Sequence, residues 1–117
     1  MTFRSLTAAL AVLLMQAPPL LAQEPAGAYL AAQHARAQGD FAAAAQYYAQ
    51  ALTRDPDNPA MLENATIAYL ALGRLDQAVA VARKLEADGL RSQVAQIALV
   101  ADEARREDWE ALLARIE

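Results

Sequence analysis

Phe41, Leu75 and Trp109 stand 34 residues apart, and the residues around them repeat with them. Ala44, Ala78 and Leu112 align at the same step, as do Ala45, Val79 and Leu113, and then Tyr48, Ala82 and Ile116. In the first copy, Gly39 to Leu52, apolar residues fall at 41, 44, 45, 48, 51 and 52. Steps of three and four put them on one side of a 3.6-residue helix, where they form one wall of a core. Ahead of each set, Gly39-Asp40, Gly73-Arg74 and Glu107-Asp108 fall at the same turn. A chain with this period folds as stacked copies of one unit, each with an apolar side that only a neighbour can cover.

The local signals place helices throughout. A first helix is predicted over Ala28 to Gln38, rich in alanine, with Tyr29 and Leu30 its only bulk. Gly39 supplies the left-handed residue that closes it, and Asp40 caps the next helix. Small residues let paired helices approach, which sets Ala32 against Ala44 and Thr66 against Ala78; Val100 against Leu112 makes a wider third pair. In Asp55-Pro56-Asp57-Asn58-Pro59, Pro56 ends the second helix, Asn58 caps the third and Pro59 suits its first position. The third helix runs to about Leu72 and the fourth from Leu75 to about Ala87, closing at Asp88-Gly89. Ser92 caps a fifth from Gln93 to Arg106, and Asp108 a sixth that begins at Trp109. Composition agrees: hydrophobic residues make up 56% but aromatics only 6%, because alanine, the best helix former, supplies much of the total.

A 34-residue period built of two helices resembles the tetratricopeptide repeat. The first copy carries the likeness in Gly39-Asp40-Phe41, Ala44, Tyr48, Ala51-Leu52 and Asp55-Pro56, and the second in Leu62, Tyr69, Gly73, Leu75 and Ala78. The second departs at Glu86 and Gly89-Leu90. The third departs at Glu103, where the family favours a large aromatic, and at Leu112, where it favours alanine. The likeness spans roughly residues 25 to 117 and implies an all-α fold, with antiparallel helix pairs stacked as a short right-handed α-solenoid of about six helices. The repeats would be about 25–58, 59–92 and an incomplete 93–117, since a full third unit runs to about residue 126.

In this family the first helix of each pair lines a concave groove that holds a peptide or a partner helix. The implied groove residues are Tyr29, Gln33 and Arg36, then Glu63, Asn64, Ile67 and Leu70, then Val94, Ile97 and Ala101. Members that grip a C-terminal carboxylate use basic residues and asparagines there. Asn64 fits that pattern, whereas Tyr29, Gln33, Val94 and Ala98 do not, so an apolar segment or helix is the expected ligand. The plainer reading is that Ile67, Leu70 and Ile97 pack between neighbouring helices, as helical stripes most often do. Trp109, Leu112, Leu113 and Ile116 are expected on an open face, as a contact surface, a site of self-association or the sign of a longer repeat array.

Residues 1 to 22 resemble a secretory signal peptide: Arg4 gives a positive start, Leu6 to Leu21 is mostly apolar, and Ala22 is small. Pro18-Pro19 and the short apolar run argue against a bilayer span, although an uncleaved leader would act as an anchor. The mature chain, residues 23–117, is therefore expected in the periplasm or outside a bacterial cell, with no stable membrane span. The formal charge of −4 becomes −5 once Arg4 leaves with the leader, a balance that repels phosphate backbones and argues against nucleic acid.

Catalytic chemistry has little to stand on. There is no cysteine, and His34 is the only histidine, read as an ordinary helix-face residue. Pro59-Ala60 stand where an EF-hand begun by Asp55-x-Asp57 would need an oxygen ligand and a glycine, and no phosphate-binding glycine loop is present. No metal or cofactor is expected. Asp102, Glu103, Glu107, Asp108 and Glu110, beside Arg105 and Arg106, read mostly as intrahelical ion pairs on a solvated surface. Two functions follow as expectations. The first is a non-enzymatic protein-interaction scaffold of the cell envelope. The second is the leading repeat segment of a larger secreted enzyme or transport component whose activity lies beyond residue 117.

Overall fold

The computed structural model describes residues 24–117, which form α1 (Glu24–Ala37), α2 (Phe41–Leu52), α3 (Pro59–Ala71), α4 (Leu75–Ala87), α5 (Gln93–Arg105) and α6 (Trp109–Ile116). The leader predicted over residues 1–22 lies outside the described residues. The chain is all-α, and each helix packs antiparallel on the one before it. α3 also touches α5, so the second and third hairpins meet through their first helices as well as through α4 and α5. No described helix is long and apolar enough to cross a membrane.

The turn inside each hairpin is the same object three times. Backbone N–H groups of Asp40, Arg74 and Asp108 each donate to a carbonyl five residues back, on Ala35, Tyr69 and Glu103, at 2.9 Å. That closure needs a left-handed residue, and φ is +75° at Gly39, +69° at Gly73 and +57° at Glu107. Side-chain oxygens of Asp40, Asn58, Ser92 and Asp108 accept from the backbone N–H three residues on, at 3.0 to 3.2 Å. Each such cap stabilises its helix by about 1 kcal/mol. Arg74, at the same place before α4, makes no side-chain cap.

Two helix ends differ from the sequence reading. α1 begins at Glu24, four residues before Ala28, because a proline in the first helical turn gives up an N–H that has no helical partner anyway. α2 stops at Leu52 and not at Pro56. In a longer helix the Pro56 ring would strike the Leu52 carbonyl four residues earlier, so the proline acts one turn ahead of itself. The Thr53 hydroxyl instead donates to the Gln50 carbonyl at 2.6 Å.

The core changes character along the stack. Between the first and second hairpins it is Ala32, Ala35, Ala44, Ala45, Ala65 and Ala68 around a single large side chain, the fully buried Tyr48. Tyr29 meets Tyr48 edge to face at 6.5 Å between ring centres. Between the second and third hairpins Leu62, Val79, Leu85 and Leu99 replace alanine. Each buried leucine there contributes roughly 1.5–3 kcal/mol. The expected crossings of small residues form, with Ala32, Ala44, Thr66 and Ala78 all fully buried. The Thr66 hydroxyl donates to the Leu62 carbonyl at 2.9 Å, which lets a polar side chain sit there at little cost.

Candidate functional site

The first helices of the hairpins, α1, α3 and α5, carry the implied groove residues, and hydrogen bonds join these in pairs. Gln33 donates from Nε2 to the Tyr29 hydroxyl at 2.9 Å, along α1. Arg36 donates from Nη1 to Asn64 Oδ1 at 2.9 Å, from α1 to α3. The Ser92 hydroxyl donates to Glu63 Oε1 at 2.8 Å, tying α3 to the start of α5. Among the described residues no three acidic or histidine side chains converge as a metal-binding group.

The apolar groove residues separate into two kinds. Leu70 packs against the leucine-rich core and is half-buried, so the plainer reading, packing between helices, holds for it. Ile67 is half-buried as well. Ile97 is different, at 62% exposure. It lines a cleft of about 780 Å³ together with Leu90, Arg91 and Gln93 near the start of α5, and with Glu86 and Arg115 from the helices on either side. Val94 and Ala101, one helical turn to either side of Ile97, are half-buried. Gln33 and Arg36 line a smaller recess of about 310 Å³ on α1. The cleft lies where α4, α5 and α6 meet, with no residue of α1 or α3 in its lining, while the part of the face on α1 and α3 is polar and internally bonded.

The expected open face on α6 is largely present. Trp109 is 58%, Leu113 55% and Ile116 62% exposed. Leu112 departs from that expectation: it is half-buried, because its register is that of the fully buried Ala44 and Ala78, which meet the first helix of their own hairpin.

Sequence reasoning missed an ionic cluster joining α4, α5 and α6. Asp102 and Glu103 do not form a solvated surface; they are 4% and 6% exposed. Asp102 accepts from Arg105 at 2.8 Å and from Arg83 of α4 at 3.3 Å, and Arg106 approaches it at 2.8 Å. Burial pushes the Asp102 carboxyl up, but the Arg105 hydrogen bond and the charges of Arg106, Arg105 and Arg83 outweigh it and hold the pKa below the ordinary aspartate value. Arg115 of α6 donates to Glu103 from Nε and Nη2, and from Nη1 to Glu86 at 2.6 Å and Gln96 at 3.0 Å. The signal was in the period: Asp102 and Glu103 stand where the second copy has Ala68 and Tyr69, and a carboxylate at a core register calls for a buried cation.

Comparison with known families agrees with this architecture. A family model described as tetratricopeptide repeat matches residues 35–102, a span of 68 residues or two full periods. No match is found among curated proteins. With more than half its length matched and three hairpins stacked at one period, the chain belongs to the tetratricopeptide repeat family, whose domains mediate protein–protein interaction.

Proposed function

We propose that this chain is a protein-interaction scaffold of the bacterial cell envelope that holds an apolar peptide or helix along the face of α1, α3 and α5. Ile97, on the first helix of the third hairpin and 62% exposed, carries the reading. An aliphatic side chain more than half in water gains when a ligand covers it, by roughly 25 cal/mol per Å² of apolar area removed from water. The polar groups of the face are partly engaged with each other: one Arg36 N–H goes to Asn64, and one Gln33 N–H goes to the Tyr29 hydroxyl. The envelope location rests on the leader-like residues 1 to 22.

Selection from a random peptide display library tests the ligand class. Enriched peptides should be rich in leucine and phenylalanine and should lose binding to Ile97→Glu, a variant whose exposed position leaves circular dichroism unchanged. Enrichment of acidic peptides, or binding indifferent to Ile97→Glu, would remove the groove assignment. An alkaline phosphatase fusion, active only outside the cytoplasm, tests the location separately.

A further inference from the structure

The two junctions inside the stack are templates for a third. Where the second hairpin meets the first, Asn64 accepts from Arg36 and Val81 packs on the alanine-rich cluster. One period later Ala98 is buried beside Leu62, and Arg115 donates to Glu86. The first hairpin has Leu30 and Tyr47 at these registers, 65% and 40% exposed. On the other side of each unit, Ala45 and Val79 are buried in clusters that include residues of the following hairpin. Their counterpart on α6 is Leu113, exposed together with Trp109 and Ile116. Apart from Ile97, every exposed large apolar side chain among the described residues thus occupies a register that a neighbouring hairpin covers elsewhere in the stack.

Charge follows the same template. Arg83 of α4 pairs with Asp102 of α5 at 3.3 Å across the second junction. One period after Arg83 stands Glu117, and two periods before Asp102 stands His34. A junction made from the third hairpin of one molecule and the first hairpin of another would set the Glu117 carboxylate beside the His34 imidazole at those two registers.

We propose that a second copy of this chain docks head to tail, its Leu30, His34 and Tyr47 face covering the Trp109, Leu113 and Ile116 face of the first. The interface is independent of the groove. It is heterologous, so a third copy adds as the second did, and the assembly grows with concentration instead of stopping at a dimer.

Sedimentation velocity on the full chain tests this. The wild-type weight-average mass should rise with concentration past that of a dimer. Tyr47→Glu and Leu113→Glu, both at exposed positions, should each be monomeric alone, and their equimolar mixture should give a one-to-one heterodimer that grows no further, because each variant keeps one working face. Adding His34→Glu to the Leu113→Glu partner should weaken that heterodimer about two- to fivefold, and Glu117→Lys on the other partner should recover it. Association that survives either single substitution, a mixture that stays monomeric, or a wild-type chain that stays monomeric at its highest soluble concentration overturns the proposal.

Discussion

Arg115 and Glu103 form a two-pronged ion pair, with Nε and Nη2 at 2.9 and 2.8 Å from the same carboxylate oxygen, Oε1, and Nε also 3.1 Å from Oε2. Their side chains are 17% and 7% exposed, so the pair is largely withdrawn from water. α6 contributes no buried residue and packs less extensively on α5 than α2 does on α1. The third hairpin is thus closed more by charge than by apolar area. Its guanidinium occupies the register that Val81 fills with an apolar side chain one unit earlier.

Removing one partner of such a pair leaves the other buried without compensation, at a cost of about 3–5 kcal/mol when fully dry. Arg115→Gln should therefore detach α6 before it unfolds the rest. Hydrogen exchange should show the amides of 109–116 losing protection while those of α3 and α4 keep theirs. Replacing both partners, as Arg115→Leu with Glu103→Leu, should restore much of that protection. A double variant as unprotected as the single one would show that the pair holds α6 by more than mutual neutralisation.

Acid should act on the same region. The Arg115 hydrogen bond holds the Glu86 carboxyl below its ordinary value of 4.5, and Asp102 lies below 3.8 once its arginines outweigh burial. A carboxyl whose folded pKa is depressed stabilises the fold above the unfolded value and loses that contribution as pH falls through the folded one. The thermal midpoint should be flat from neutral pH down to about 5 and then fall steadily below about 4. Asp102→Asn should start lower and show a shallower fall, and an unchanged slope would remove Asp102 from the account.

How much of this was legible in the sequence depends on the period. Caps and turns were legible because they are local: Asp40, Asn58, Ser92 and Asp108 accept the backbone bonds their residue types suit. Leu70 against Ile97 was not legible. Both are aliphatic groove residues, and only the packing of α3 between two hairpins half-buries one while the other stays open. Asp102 was misread because charge alone suggests a surface, while its partner Arg83 is 19 residues away, on another helix.

Tyr48 gives a test inside the core. Its ring is fully buried and its hydroxyl finds no hydrogen-bond partner of good geometry, while burial raises its pKa and the Arg36 guanidinium pulls it part of the way back. A buried hydroxyl without a partner costs about 1–3 kcal/mol. Tyr48→Phe keeps the ring, and with it the edge-to-face contact with Tyr29. Urea denaturation should show a higher midpoint at unchanged slope, by about 1 kcal/mol. A loss of stability would mean that the hydroxyl is satisfied in solution by water or by Arg36.

The third turn of the stack offers the simplest gain. Glu107 adopts φ +57° where Gly39 and Gly73 stand at +75° and +69°, and the same 2.9 Å closing bond follows it. A residue with a Cβ meets the following carbonyl in that conformation at a cost of roughly 1–2 kcal/mol, which glycine avoids. Against this, glycine makes the unfolded chain freer and gives back a few tenths to 1 kcal/mol. The left-handed penalty is the larger of the two, so Glu107→Gly should stabilise the third hairpin by about 0.5–1 kcal/mol. The gain should appear as slower exchange in α6, because that helix hangs from this turn and from Arg115. Glu107→Ala separates the causes: it removes the charge, keeps the Cβ and should leave α6 exchange close to wild type. Equal gains from alanine and glycine would locate the effect in the carboxylate, not in the backbone.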